Sequence, residues 1–392
     1  MLEAELRQDL PPSIHSAQEA HSVKPKTTIV LAGRCDHDNY GDSLMFSFYA
    51  RALQSSHNVA LLNASDTFLE RIREDGIEAS TIYLNELSNA KELAGVIFVG
   101  GGYFGEPEIG KRKWSINFAS GYFPKVLRIL QNENIPYYIQ GVEAGPISDP
   151  NVRMKIHDIL ANAQDVVVRN KASLDFCREI GVTTATYLPD VVLSGAKDFY
   201  SSNYENADSG TPKRYDVSIH VTGRLFSKNP LAKINLRSVL KAISKSNLSK
   251  VSFFFDQMEN QERLLATAHR VAAKLQRNLD CDVIEYRGHH QLLKLLGNSA
   301  VVVTTKLHAG MTAISFGNKV LSISSAPKIK RFYRESGLAP YHCDYFWSLP
   351  RSKGLALKRV ISEPVISASA ADMDGSRKNI TDIIRKQWKS FS

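Results

Sequence analysis

Short β-branched segments alternate with helix-length segments along most of this chain, and this alternation restricts the possible fold more than any other feature. Thr28 to Ala32, Asn58 to Leu62 and Asp165 to Val168 have the length and composition of buried strands. Segments with apolar residues at helical spacing lie between such strands, and the connections are short. This order favours parallel pairing with helices on both faces of the sheet. The sequence therefore predicts an α/β fold of doubly wound parallel sheets.

A polar break divides the alternation into two halves. The chain has 392 residues, 43% of them hydrophobic, so each half is long enough to bury its own core. Polar and turn-forming residues dominate positions 196–214, and strand-like segments resume after them. A last amphipathic segment is expected to pack on the first domain, with a membrane surface as the alternative. The predicted units are an arm (1–26), an N-terminal Rossmann-like domain (27–195), a linker (196–214), a C-terminal Rossmann-like domain (215–371) and a C-terminal helix (372–392).

The chain is moderately basic. Lys and Arg number 49 against 40 Asp and Glu, which gives a net charge of +9. This excess fits an anionic substrate, an anionic membrane surface or nucleic acid, and a basic protein without such a partner explains it as well. Because no zinc-finger spacing or aromatic ribonucleoprotein motif occurs and the basic residues are scattered, nucleic acid is set aside as a partner.

Cysteine spacing and hydropathy bear on the compartment. The four cysteines lie far apart and form no CxxC pair, so neither a zinc site nor a disulfide framework is indicated. No apolar run approaches the ~18–20 residues that a transmembrane helix needs. We expect a cytoplasmic protein in a reducing compartment, with peripheral contact at the inner face of the membrane left open.

Two cationic turns follow neighbouring strands of the C-terminal half. The turn after Val301 to Val303 carries Lys306 and His308 at the start of a helix, and the turn after Val320 to Ile323 carries Lys328. In a parallel sheet both turns lie at the carboxyl ends of adjacent strands, where cations and unpaired N–H groups favour an anion. The alternative is that the lysines are solvated and the histidine is packed in the core.

A long polar turn follows the first strand. It runs over positions 33–42 and ends in Asn39-Tyr40-Gly41-Asp42 before an apolar helix. A turn of this length and polarity between apolar elements is typical of a mobile loop or a site. Asp42 is placed either to cap the helix or to act in such a site.

The glycine-rich segment 100–105 matches the letters of a dinucleotide-binding motif. No clean helix opens from it, and no acid stands about 20 residues later to bind a ribose, so a dinucleotide site is excluded. These glycines are better explained as a loop that approaches a ligand or the other domain closely.

Taken in order, these motifs resemble those of the polysaccharide pyruvyl transferase family, whose members move the enolpyruvyl unit of phosphoenolpyruvate onto sugar hydroxyls as a ketal. The resemblance covers about residues 27–340 and rests on an ordered set of motifs. The set comprises Asn39-Tyr40-Gly41-Asp42, Val99-Gly100-Gly101-Gly102, Gln140 to Pro146, Val168 to Ser173, Leu188-Pro189-Asp190, Lys306-Leu307-His308-Ala309-Gly310, Phe316-Gly317 and Pro327-Lys328.

The resemblance implies two domains that face each other across a cleft, similar to B-type glycosyltransferases, and a role in capsule or exopolysaccharide synthesis. It implies that phosphoenolpyruvate binds the C-terminal domain. This chain has Lys306 where the family commonly has arginine. Lysine cannot form the pair of parallel hydrogen bonds that arginine makes with a carboxylate or phosphate. The implied donor contacts are Arg224, Lys306, Leu307, His308, Lys328 and, as a rival to Arg224, His220.

The chemistry of such a transfer assigns roles to these residues. Lys306, Arg224 and Lys328 would neutralise the two anionic groups of the donor, and His308 would position it or move a proton. Asp38 or Asp42 would supply the second acid or base. No step requires a metal or a cofactor. The acceptor-side candidates are Asn39, Tyr40, Gly101, Gly102, Tyr103 and Glu143.

Two other functions fit the same pattern. A B-type glycosyltransferase would hold the diphosphate of a nucleotide-sugar at the same helix start. A non-catalytic protein would keep the cleft and bind an anion or a glycan. The sequence leaves open which sugar and which hydroxyl pair react, whether the sugar acceptor is polymeric, nucleotide-linked or a lipid-linked oligosaccharide, and the oligomeric state.

Overall fold

A computed structural model describes residues 26–90, 92–107, 110–203, 214–276 and 278–362. Two parallel sheets, each with helices on both sides, confirm the predicted α/β class. The predicted arm, apart from Lys26, and the predicted C-terminal helix lie outside the described residues. Within the described ranges, no helix is both long and apolar enough to span a membrane.

The N-terminal sheet has the strand order β3-β2-β1-β4-β5-β6-β7, and all its pairs are parallel. Its strands are β1 (Thr28–Ala32), β2 (Asn58–Leu62), β3 (Ala79–Ile82), β4 (Leu93–Val99), β5 (Tyr137–Val142), β6 (Asp165–Val168) and β7 (Thr186–Tyr187). The helices of this half are α1 (Tyr40–Leu53), α2 (Asp66–Glu74), α3 (Lys111–Ser120), α4 (Tyr122–Asn132), α5 (Pro150–Ala161), α6 (Lys171–Glu179) and α7 (Val191–Asn203).

The C-terminal sheet repeats this topology with the order β10-β9-β8-β11-β12-β13, again all parallel. Its strands are β8 (Tyr215–His220), β9 (Lys250–Phe254), β10 (Asp280–Ile284), β11 (Ser299–Thr304), β12 (Lys319–Ile323) and β13 (His342–Cys343). Its helices are α8 (Gly223–Phe226), α9 (Pro230–Ile243), α10 (Met258–Leu275), α11 (His289–Gly297), α12 (Leu307–Ser315), α13 (Pro327–Glu335) and α14 (Pro350–Ser362).

Helix α12 is buried on almost every side, although a helix on one face of a sheet normally buries only one stripe. The cause is the first domain, because α1 and α7 pack against α12 from the side opposite its own sheet. The Tyr40 hydroxyl of α1 lies 2.7 Å from the Thr312 hydroxyl of α12. Tyr286 follows β10, and its hydroxyl donates a hydrogen bond to Asp38 of the first domain at 3.0 Å. The two domains therefore meet through packed helices and buried polar contacts.

The predicted linker begins inside a helix. Residues 196–203 belong to α7, and residues 204–213 lie outside the described residues. Asp198 and Ser201, two of the polar residues that suggested a linker, are exposed, while Phe199 and Tyr200 are buried in the interdomain core. Helix α7 thus carries the chain from one domain onto the other as part of their packing.

Candidate active site

An interdomain cleft of about 570 Å³ lies at the carboxyl ends of the strands of both sheets. This is where open parallel sheets bind ligands. The structure brings most of the predicted site residues to its walls. They are Asn39, Tyr40, Asp42, Gly101, Gly102, Tyr103, Arg224, Lys306, Leu307, His308 and Lys328.

The turn between β1 and α1 supplies one wall. Asn39 caps the helix, because its side chain accepts from the Gly41 N–H at 3.0 Å. The alternative of Asp42 as the N-cap is therefore wrong: Asp42 is the third helical residue. Its carboxylate lines the cleft and forms no ion pair or hydrogen bond within the described part of the chain. Asp42 is thus available to a ligand.

His308 in the first turn of α12 lies against the opposite domain. A Cβ atom added to Gly41 would lie only 1.7 Å from His308 Nδ1, so the ring packs directly on the glycine backbone. His308 Nε2 is 3.7 Å from Asp190 Oδ2 and 3.5 Å from a guanidinium nitrogen of Arg169. The imidazole therefore comes from the second domain and is held by the first.

Asp190 and Arg169 form the buried support of that imidazole. Arg169 donates to Asp190 at 3.2 Å and to Glu143 at 2.9 Å. Burial alone would raise the pKa of Asp190, but the nearby charge of His308, together with that of Arg169, lowers it to about 2. Arg331 of α13 reaches across to Glu143 at 3.1 Å. The network thus keeps Asp190 ionised behind His308 and joins the domains.

A second buried carboxylate holds Lys306. Asp256 lies 3.1 Å from Lys306 Nζ and 3.0 Å from His220 Nε2. Burial raises the pKa of Asp256, but His220 and Lys306 outweigh it and keep that pKa well below its usual range. His220 is fully buried and does not line the cleft. Its place is behind Asp256, so it positions Lys306 through that carboxylate.

The remaining cations face the cleft from the second domain. Arg224 donates to the Ser324 hydroxyl at 2.8 Å, and Arg263 donates to Asn260 at 3.1 Å. Lys328 opens into the cleft, where burial by the surrounding walls and the nearby Arg169 lower its pKa. No described side chain caps the start of α12, so its first N–H groups add to the positive potential.

Two further predicted residues lie behind the walls of the cleft. Asp38 accepts from Tyr286 and forms an ion pair with Arg71 at 3.1 Å, and it does not line the cleft. Glu143 is held between Arg169 and Arg331. Both carboxylates are therefore satisfied by protein partners, whereas the Asp42 carboxylate lines the cleft.

Sequence reasoning assigned no role to four residues of the site. Arg169 and Asp190 belong to motifs that the chain shares with the family. Their positions after strands β6 and β7 could have marked them as site residues. Asp256 likewise follows β9. Arg263 lies inside α10, and nothing in its local sequence distinguishes it from other helix-surface arginines.

Comparison with known proteins identifies the family and the fold. The family model of polysaccharide pyruvyl transferase matches residues 39–327. Among curated proteins, no sequence matches this chain. Solved structures with the same two-domain architecture are similar over nearly their whole length.

Three of these structures illustrate the similarity. UDP-GlcNAc 2-epimerase from Methanocaldococcus jannaschii is 13% identical, with a TM-score of 0.61 over 92% of this chain and 99% of that one. HepE from Anabaena, solved with UDP and glucose, is 11% identical, with a TM-score of 0.54 over 93% and 98%. UGT71G1 from Medicago truncatula, solved with UDP-glucose, is 9% identical, with a TM-score of 0.56 over 93% and 98%. At these identities the likeness shows the B-type glycosyltransferase fold alone.

Proposed function

This chain belongs to the polysaccharide pyruvyl transferase family, and on that premise we propose that it transfers the enolpyruvyl group of phosphoenolpyruvate onto two hydroxyls of one sugar residue in a polysaccharide or its precursor. The products are a cyclic pyruvate ketal and inorganic phosphate. One observation carries the proposal. The cleft brings the cations of the second domain together with the His308 imidazole, which lies beside Asp190 of the first domain, and with the Asp42 carboxylate of the first domain.

Donor binding needs positive charge for a phosphate and a carboxylate. Arg224, Arg263 and Lys328 line the second-domain side, and the uncapped start of α12 lies beside them. Lys306 forms an ion pair with Asp256, so its main role is to hold the second-domain wall of the cleft in position. Two anionic groups thus meet three cations, none of which forms an ion pair with a carboxylate in the part of the chain that the structure describes.

The reaction requires two proton transfers, and the cleft has two groups for them. His308, as an imidazolium stabilised by Asp190, donates a proton to the methylene carbon while a sugar hydroxyl adds to C2. Asp42 accepts the proton of that hydroxyl. Phosphate then leaves and a second hydroxyl adds to the same carbon, closing the ketal. The second hydroxyl gives its proton to His308, which replaces the one donated to the methylene carbon, and the departing phosphate takes the proton held by Asp42. Over one turnover, one proton thus enters the new methyl group and one leaves on phosphate.

The experiment first asks which donor the protein binds and then looks for the product. Phosphoenolpyruvate should raise the melting temperature of the protein, and UDP- and GDP-sugars should not. The nucleotide arms matter because HepE and UGT71G1, which have the same fold, were solved with UDP and glucose and with UDP-glucose, respectively. Incubation with phosphoenolpyruvate and a panel of glycosides should then give acceptor-dependent phosphate release and a ketal product by mass spectrometry. Stabilisation by a nucleotide-sugar alone would contradict the proposal.

A matched pair of variants tests the donor side. Arg263 and Arg270 are exposed arginines of the same helix α10, but only Arg263 lines the cleft. Arg263→Ala should weaken phosphoenolpyruvate binding by about 1.5–3 kcal/mol, the range for a hydrogen bond to a charged group, and Arg270→Ala should not. Equal affinities in both variants would remove Arg263 from the donor site.

A further inference from the structure

A second groove of about 810 Å³ opens from the cleft along the first domain. It runs between the turn after β1 and the helices α3 and α4. Arg34, Gly102, Tyr103 and Lys328 line both spaces, so the groove and the cleft are continuous. A molecule that reacts in the cleft can therefore extend into the groove.

Aromatic rings form the floor of this groove. Trp114 and Phe118 have their ring centroids 5.3 Å apart, and Tyr103 and Phe123 have theirs 5.1 Å apart. Phe118 is buried, whereas Trp114 is half-buried and keeps part of its indole open. Rings packed on one another in this way are fixed in orientation, and they offer a rigid apolar face.

Polar groups surround the aromatic floor. Arg34, Asp36 and Lys113 line the groove, and Asn63 joins them with an amide whose oxygen accepts from the Leu84 N–H. The Tyr122 hydroxyl is buried and has no hydrogen-bond partner among the described residues. A buried hydroxyl without a partner is costly unless a ligand or water completes it.

This combination selects a class of ligand. A sugar ring has an apolar C–H face that packs on an aromatic ring and a rim of hydroxyls that bond to amides, carboxylates and guanidinium groups. An alkyl chain would take water from Asp36, Asn63 and Arg34 and offer no hydrogen bond in return. On the premise of the proposed transfer in the cleft, we propose that the groove binds the sugar residue next to the one that is modified, so that the acceptor is an oligosaccharide segment.

Binding without the donor provides the first measurement. Gluco- and galacto-oligosaccharides of one to three units, titrated without phosphoenolpyruvate, should bind more tightly from the second unit onward. Trp114→Ala should weaken the binding of the longer sugars by roughly tenfold and leave that of the single sugar unchanged. Trp347→Ala, which removes an indole that is 88% exposed on the second domain, is the matched control and should change neither.

A conservative variant guards against a folding defect. Tyr122→Phe deletes only the unpartnered hydroxyl, so it should fold normally and weaken the longer sugars by a few-fold. Equal affinity for one, two and three sugar units, or tight binding of UDP or of a dodecyl chain in the groove, would overturn the inference. Because these titrations need no turnover, absence of a ketal product would count against the transfer and not against the groove.

Discussion

Replacing Gly41 by alanine should disable the imidazole without unfolding the protein. The added Cβ would lie 1.7 Å from His308 Nδ1 and 2.6 Å from its Cγ, whereas ordinary contacts begin at 3.4 Å. The ring must therefore retreat by at least about 1.7 Å. Such a shift moves Nε2 out of reach of Asp190, from which it is now 3.7 Å distant. Since misplacing a catalytic group by about 1 Å can lower the reaction rate ~10²-fold, turnover should fall by at least that factor.

The melting temperature should change little, because two effects of the alanine oppose each other. Alanine is the better helix former by up to about 1 kcal/mol, and Gly41 is the second residue of α1. That gain offsets part of the strain from displacing His308. Melting temperature and the rate of phosphate release, measured on the same preparation, separate the loss of activity from a loss of fold.

A double variant and a second glycine make the test specific. If Gly41→Ala acts through the ring, it should have almost no further effect in a His308→Gln background. Gly102→Ala also adds a methyl group to the cleft wall, but its nearest neighbour would be Glu143 Oε2 at 3.7 Å, so turnover should stay within a few-fold. Wild-type turnover in Gly41→Ala, or additive losses in the double variant, would refute the assignment of His308.

Asp42→Asn should fold normally, because Asn39 provides the helix cap, and should lose ~10²–10⁴ in turnover; a fully active variant would remove Asp42 from the chemistry. Arg224→Ala and Lys328→Ala should each weaken phosphoenolpyruvate binding by about 1.5–3 kcal/mol in calorimetry, and unchanged affinity in both would move the donor elsewhere. Asp190 has its pKa lowered from 3.8 to about 2 by folding, so its carboxylate stabilises the protein by about 2 kcal/mol above pH 4, a contribution lost as the pH falls to 2. The difference in unfolding free energy between wild type and Asp190→Asn should therefore shrink from pH 4 to pH 2 in urea titrations, and a constant difference would contradict this origin.

The positions of three strands follow from local sequence, whereas two helices that were not predicted depend on tertiary contacts. Strands β1, β2 and β6 match the predicted segments to the residue, because short apolar runs bounded by turns can be recognised from local sequence alone. Helices α7 and α14 escaped prediction as helices, since each mixes polar or charged residues into its buried stripe. Their apolar faces are defined only by the elements that cover them.

The site divides in the same way. The cationic turns of Lys306 and Lys328 were predictable, since the carboxyl ends of parallel strands carry the ligand-binding turns. The contact of Gly41 with His308 joins positions 267 residues apart, and it depends on how the two domains dock. The same holds for Asp38, whose polar turn suggested a site while its partner Tyr286 lies in the other domain. Sequence proximity could not distinguish a ligand contact from a domain contact.

The seating of His308 on Gly41 limits how this enzyme can be recombined. A chimera that joins the first domain of one family member to the second domain of another would inherit an imidazole from one parent and its socket, Gly41 and Asp190, from the other. Such a hybrid can work only where both parents share that docking surface. Neither Gly41 nor Asp190 lines the groove. If the groove holds the neighbouring sugar as proposed, exchange of helices α3 and α4 between relatives is the smaller graft by which to alter the choice of glycan.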